Sequence, residues 1–120
     1  MAKQRRRLFQ RTAPDEAASQ VKEALRLVSQ AAEAGRRIGL FGAKVAMQSG
    51  NDAIFHESAE EGMRCGEWSL ELAELPSMKA PGPEVLEMCA VALRDIAKSY
   101  AAAARAIKVT EAVRGTQLAV

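Results

Sequence analysis

The sequence predicts an all-α protein, an antiparallel bundle of three long helices that is completed by oligomerisation. Helix-forming Ala, Leu, Glu, Lys and Arg dominate the 120 residues and aromatic residues make up only 4%, a composition that favours helices over strands. Glycine and proline clusters near residues 50 and 80 divide the chain into three long segments of helical periodicity. A chain with so few helices often completes its core by associating with other copies. No apolar run reaches the length of about 18 residues that predicts a membrane span.

The third segment carries the clearest pattern, which predicts a helix from Pro83 to Arg114. Gly82 and Pro83 mark its start and Gly115 marks its end. Apolar residues recur there at alternating steps of three and four, the spacing of a buried seam between helices. We expect these residues to face the core: Leu86, Cys89, Leu93, Ile96, Tyr100, Ala103 and Ile107.

The first helix is predicted to begin near residue 13 and to extend at least to Arg37. Its continuation depends on Gly35, Gly39 and Gly42, because each interior glycine costs a helix about 1 kcal/mol relative to alanine. The residues around these glycines are strongly apolar. We therefore favour a continuous or slightly kinked helix to Gln48 over a break near Gly35 or Gly39.

The second helix is predicted to lie between two breaks in the pattern. Gly50 is expected to end the first helix, Asn51 to cap the second, and Pro76 to end it. We expect its inner face to carry Phe55, Ala59, Gly62 or Met63, Gly66, Leu70 and Ala73. The whole chain then divides into a flexible basic arm (residues 1–12), a single bundle domain (13–115) and a frayed tail (116–120).

Charge is distributed unevenly, although the net charge is only +2. Residues 1–11 contain five bases and no acid, whereas residues 52–75 contain seven acids and one base. Guanidinium groups on a flexible tether suit phosphate-rich partners. We expect the arm to contact a polyanion (nucleic acid or an anionic surface) or the acidic helix of a neighbouring subunit, through Lys3, Arg5, Arg6, Arg7 and Arg11.

The acidic second helix is the best candidate for chemistry. Asp52, His56 and Glu60 are spaced four residues apart and so share one helix face. A histidine between two carboxylates is half of a site for a divalent metal such as Fe, Mn or Zn, and Glu57 and Glu61 add further carboxylates. Because one chain supplies a single histidine, such a site requires a subunit interface.

A magnesium-dependent enzyme is a second form of this alternative, with Glu84 and Glu87 of the third helix as the other acidic pair. In a helical hairpin the two acidic pairs lie roughly 20 Å or more apart, so this site also requires a second subunit. The interpretation that we favour is a solvent-exposed acidic face. There, Glu57 pairs with Lys44 or Arg105, and Glu60 or Glu61 pairs with Lys98.

The two cysteines, Cys65 and Cys89, fall beside apolar positions and have no neighbouring histidine to activate them. We therefore expect buried, reduced thiols. Reduced cysteines and the lack of a secretory signal favour a cytoplasmic protein.

Taken together, these patterns favour a non-enzymatic interaction or structural protein over an enzyme. We expect a homo-oligomer whose contacts involve small and apolar residues, namely Gly35, Gly39, Phe41, Ala103 and Ile107. The alternative is a metal-binding or magnesium-dependent helical enzyme with its site between subunits. Cofactor, substrate and partner identity have no motif in the sequence.

Overall fold

Three helices make up the described part of the chain, residues 14–75 and 82–119 of a computed structural model. They are α1 (Pro14–Gln48), α2 (Asp52–Glu74) and α3 (Glu84–Ala119), and the described ranges contain no strand. The predicted all-α bundle of three long helices is confirmed. The predicted arm, residues 1–12, lies outside the described residues. In the ranges that are described, no helix is long and apolar enough to cross a membrane.

The helix boundaries follow the expected local signals with one exception. Gly50 has a φ of +74°, as expected after a helix end, and the Asn51 side chain caps α2 by accepting a hydrogen bond of 3.1 Å from the Ile54 amide. The prediction that Gly115 ends the third helix is wrong, because α3 extends to Ala119. A single glycine costs only about 1 kcal/mol in a helix, and no proline follows it.

The first helix is continuous through its three glycines, as favoured from the sequence. Gly35 lies against Cys65 of α2 and Ile96 of α3, whereas Gly42 lies against Ser58 and Ala103. The order of these contacts shows that α1 and α3 run parallel while α2 runs antiparallel to both. The bundle therefore has up-down-up topology with α1 in contact with both neighbours.

Close helix packing is concentrated at a set of small residues that we call the glycine seam: Gly35, Gly39 and Gly42 of α1, Ser58 and Gly62 of α2, and Ser99 and Ala103 of α3. A Cβ added to Gly39 would lie 2.5 Å from the Ser99 Oγ and 2.6 Å from the Gly62 Cα. No side chain fits between these backbones. The three helices approach one another this closely only because glycine occupies the contact.

Two buried hydroxyls join the helices across the glycine seam. The Ser99 Oγ donates to the Gly35 carbonyl at 2.7 Å, and the Ser58 Oγ donates to the Gly39 carbonyl at 2.6 Å. Both serine side chains are fully buried, and these bonds satisfy their hydroxyl groups, as buried polar groups require. The bonds fix the positions of α2 and α3 along α1.

A conventional apolar core lies next to the seam, between the first half of α1, the second half of α2 and the start of α3. It is formed by Leu25, Val28, Ala32, Cys65, Leu72, Val85, Cys89, Ala92 and Ile96. Leu25 and Leu72 are its largest fully buried side chains. The bundle thus combines an aliphatic core at one end with a small-residue contact at the other.

The buried face of α3 differs from the predicted one. Cys89, Ile96 and Ala103 are buried as expected, but Leu86, Leu93, Tyr100 and Ile107 are 38–49% exposed. The positions that are buried in their place include Val85, Ala92, Ser99, Ala102 and Ala106. The physical reason is the glycine seam, because only the small side chains of Ser99 and Ala103 fit where α3 approaches Gly39 and Gly42 of α1. The larger buried residues of α3, Val85, Cys89 and Ile96, belong to the aliphatic core.

The same correction applies to α2. Gly62 is buried as expected, together with Ser58, Cys65 and Leu72. Of the alternatives Gly62 and Met63, Gly62 faces inward and Met63 is 62% exposed. Leu70 and Ala73 were expected on the inner face but are exposed, Leu70 at 70%. Small residues of α2 face inward at the glycine seam, whereas Leu72 is buried farther along the helix in the aliphatic core.

We expect Gly39→Ala to lower the free energy of unfolding by about 1–3 kcal/mol, the usual cost of overpacking. The added methyl group meets the Gly62 backbone, which cannot move without separating α1 from α2. Gly66→Ala is the matched control, because its Cβ would meet only the Arg36 side chain, at 3.0 Å. That variant should be neutral or gain up to about 1 kcal/mol of helix propensity. Urea unfolding followed by circular dichroism measures both, and equal stabilities would contradict the seam.

Candidate interaction surface

The residues of the predicted metal site lie on one exposed face of α2. Asp52, His56 and Glu60 are all exposed. The His56 ring packs edge-on against the Phe55 ring, with 5.2 Å between the ring centroids. No ligand from another helix joins them: within the described ranges, no three His, Cys, Asp or Glu side chains are grouped to hold a metal ion.

Ion pairs occupy several of the remaining acidic residues. Glu57 pairs with Arg105 of α3, which confirms one of the two partners expected for it. The Lys98 Nζ lies 3.8 Å from the Asp95 Oδ1, and the Arg64 Nη1 lies 3.3 Å from the Glu61 Oε1. The expected ion pair of Lys98 with Glu60 or Glu61 is therefore not formed.

The Glu57–Arg105 pair also locates the two acidic pairs that a magnesium site would need. It places Glu57 beside a residue about 27 Å along α3 from Glu87, at 1.5 Å per residue. This separation agrees with the distance expected from the sequence. One chain therefore does not bring the two pairs together.

A contact that the sequence did not indicate ties α2 to α3. The Trp68 Nε1 donates to the Asp95 Oδ2 at 2.7 Å, and the Cys65 Sγ lies 3.8 Å from the Asp95 carbonyl oxygen. The Asp95 side chain is only 14% exposed. A half-buried indole needs a hydrogen-bond acceptor, which is the one general signal that could have suggested such a partner. We interpret this contact as structural.

Both cysteines are free and buried, as predicted. Burial raises the pKa of the Cys65 thiol, and this effect outweighs the hydrogen bond with Ser99, which lowers that pKa. Burial alone raises the pKa of Cys89. Thiols held in the neutral form are poor nucleophiles. The surroundings of both cysteines therefore favour a role as core packing residues over one as reactive thiols.

A small open depression lies on the surface of the described residues. It has a volume of about 260 Å³ and lies between α1 and α2, lined by Lys22, Leu25, Arg26, Ser29, Gln30, Leu72 and Ala73. Small-molecule sites usually have roughly 300–1,000 Å³ and converging polar groups. This lining has two cations and no acid, and the hydroxyl of Ser29 is already bonded to the Ser69 carbonyl at 3.2 Å.

The most extensive chemical feature is an exposed apolar surface on the side of α1 and α3 that faces away from α2. We call it the outer apolar face. Its large residues on α3 are the exposed Leu86, Leu93, Tyr100 and Ile107, and on α1 they are the exposed Leu27 and Phe41 and the half-buried Ile38 and Val45. Leu27 and Phe41 are 51% and 56% exposed.

Helical geometry places the two halves of this face side by side. Around α1, the residues that touch α2 (Ser29, Arg36) are followed by those that touch α3 (Gly35, Gly42). Continuing in the same direction brings Ile38 and Phe41 outward.

Around α3, Asp95 faces α2 and Ser99 and Ala103 face α1. Beyond them, on the side away from α2, follow Tyr100 and Leu93. Because α1 and α3 are parallel neighbours, the two stripes border one groove.

The predicted contact residues are divided between the inside and the outside of the bundle. Gly35, Gly39 and Ala103 are buried within one chain at the glycine seam, so they are not available to a second subunit in this arrangement. Phe41 and Ile107 are 56% and 38% exposed on the outer apolar face.

Stability should fall as the pH rises above about 8.5, the ordinary pKa of an unfolded thiol. The raised pKa values of Cys65 and Cys89 mean that the unfolded state releases protons which the folded state retains, and this favours unfolding at higher pH. The slope is at most about 1.4 kcal/mol per pH unit for each thiol. Urea midpoints from pH 7 to pH 10 measure it. The variant Cys65→Ala/Cys89→Ala is the control and should lose this slope, whereas parallel pH profiles would contradict the expectation.

Comparison of the chain with protein-family models, curated proteins and solved structures finds no match. Function must therefore be argued from the surface that the chain itself presents. In the part of the chain that the structure describes, that surface is the outer apolar face.

Proposed function

We propose that this chain is a non-enzymatic interaction or structural protein that assembles through its outer apolar face. The observation that supports this proposal is the exposure of Leu86, Leu93, Tyr100 and Phe41 on one side of the bundle, at 40–56% of each residue. Single exposed apolar residues are ordinary, but a contiguous patch of large ones is typical of a binding surface.

The size of the face is sufficient for a stable contact. Two adjacent helices about 10 Å apart, exposed over about 22 residues, present a strip of roughly 30 by 20 Å. With side-chain relief included, this is of the same order as the roughly 800 Å² that each partner contributes to a standard interface. Helix-on-helix packing suits the surface because its large residues recur at helical spacing.

The basic arm is proposed to supply a second contact, with a polyanion such as nucleic acid or an anionic surface. It lies outside the described residues, so its support is its charge: Lys3, Arg5, Arg6, Arg7 and Arg11 without an acid among residues 1–11. An assembly would bring several arms together, which multiplies weak contacts with one extended polyanion.

The alternative of a metal-dependent protein has less support. Asp52, His56 and Glu60 project from a single helix and are exposed, and the Glu57–Arg105 pair separates Glu57 from Glu87. No contact among the described residues favours that alternative over the interaction protein.

We expect Leu93→Glu to convert an oligomer to a monomer in light scattering. The substitution replaces an apolar contact by a charge in both subunits, so it should weaken a dimer by about 100-fold or more. Leu70→Glu is the matched control, because Leu70 is 70% exposed on α2 and lies outside the face. Both variants should keep wild-type helicity. A monomeric wild-type protein, or equal masses for wild type and Leu93→Glu, would reject assembly through this face.

Deletion of residues 1–11 should abolish salt-sensitive binding to a fluorescent 20-base-pair DNA duplex. The full chain should show a log–log slope against salt of up to about −4.5, because each of the five bases can neutralise one phosphate and each neutralised phosphate contributes about −0.9. Fluorescence anisotropy at several salt concentrations measures this slope. An unchanged slope after deletion rejects the polyanion contact. An arm that is needed for assembly and not for DNA binding would favour a neighbouring subunit instead.

A further inference from the structure

The exposed half of α3 carries a regular pattern of large and small residues. Leu86, Leu93, Tyr100 and Ile107 recur every seven residues, and Ala90, Ala97 and Ala104 each follow a large residue by four. All seven are exposed. Large and small residues at heptad spacing form the seam of a helix pair that packs at short distance.

We propose that the occupant of the outer apolar face is a second copy of this chain, with its α3 antiparallel to the first. The inference rests on the proposed function and specifies its partner and geometry. It predicts a two-fold dimer in which α1 and α3 of both copies form a four-helix bundle, with α2 on the outside of each half.

The antiparallel direction follows from where α1 and the charges lie around α3. The exposed seam has α1 on one side and a flank of charged residues on the other: Glu87, Arg94, Lys98, Arg105 and Lys108. In the antiparallel pair the two-fold axis is perpendicular to the two α3 helices. It places both charged flanks on one side of the pair and both α1 helices on the other. A parallel pair would instead press the charged flank of one copy against the apolar α1 side of its partner, where unpaired charges are costly.

Size complementarity defines two antiparallel registers in which every alanine of the seam faces a large residue. In one of them, Ala90, Ala97 and Ala104 lie opposite the partner's Ile107, the partner's Tyr100 and the partner's Leu93. This register also places Glu87 beside the partner's Lys108, twice in the dimer. The register shifted by one heptad would bring Arg94 against the partner's Arg94, and like charges favour the first.

The first helix agrees with the same axis. The axis passes between Lys98 and Ser99, and the contacts of Ser99 with Gly35 and Gly39 put this level between those two residues of α1. An axis there pairs Phe41 with the partner's Ala31 and Ile38 with the partner's Ala34. Large residues again face small ones. Because the residues of α1 play no part in defining the register of α3, this agreement supports the axis independently.

A charge reversal tests the register. Neither Glu87 nor Lys108 forms an ion pair with another described residue, and both are exposed, so substitutions there should leave the fold unchanged. Glu87→Lys alone and Lys108→Glu alone should each raise the dissociation constant of the dimer by about tenfold, since each creates two like-charge pairs. The double variant Glu87→Lys/Lys108→Glu should return it to near the wild-type value.

A disulfide cross-link gives an independent measurement. A Glu87→Cys chain mixed with a Lys108→Cys chain should form a disulfide-linked dimer under mild oxidation, whereas either chain alone should not. Cys65 and Cys89 are buried and should not compete.

The outcomes separate the two proposals. If Leu93→Glu removes the dimer but the double charge variant is no better than the single ones, assembly through the face stands and the antiparallel register is wrong. Cross-linking of Glu87→Cys with itself, or a wild-type trimer or larger assembly, also overturns the two-fold pair. A monomeric wild type overturns both proposals.

Discussion

The close approach of three helix backbones at the glycine seam is the constraint on which the rest of the structure depends. Gly39 meets Ser99 on one side and Gly62 on the other at distances that exclude any side chain. Buried serine hydroxyls complete the contact by bonding to α1 carbonyls, so dispersion and hydrogen bonding both require the helices to stay close. Such a contact costs about 1 kcal/mol of helix propensity for each glycine, and α1 nevertheless remains unbroken because packing outweighs propensity.

The seam also explains why large apolar residues remain outside. A helix such as α3 has two neighbouring apolar stripes, one built of Cys89, Ile96 and small residues, the other of Leu86, Leu93, Tyr100 and Ile107. Only the first fits against a glycine-lined neighbour, so the second must face away. The burial of the first stripe and the exposure of the second therefore have the same physical cause. In a bundle whose helices lay far enough apart for leucine side chains, the second stripe could be buried instead.

The sequence predicted helix type and most boundaries because those depend on local signals, such as the Asn51 cap and the glycine at position 50. It did not predict the buried face, since periodicity shows that an apolar stripe exists but not which of two adjacent stripes a neighbour covers. Leu93 and Tyr100 were assigned to the core by their spacing, and that rule fails where a short distance between backbones limits the size of the buried side chains. The Trp68–Asp95 hydrogen bond depends on the relative placement of two helices, which no local pattern encodes. Pairing Glu57 with Arg105 succeeded because both residues lie at the same level of the hairpin.

Hydrogen bonds and an ion pair between the helices fix the shape of the outer apolar face before it binds a partner. Ser58 and Ser99 hold α2 and α3 in position along α1, while Trp68–Asp95 and Glu57–Arg105 join α2 to α3 near opposite ends. The exposed ion pair contributes little energy, but the buried hydroxyls and the shielded Asp95 resist sliding because a shift would leave polar groups unpaired. The groove between α1 and α3 is thus formed before any partner arrives. A preformed surface loses less conformational entropy on binding, so its apolar contacts translate more directly into affinity.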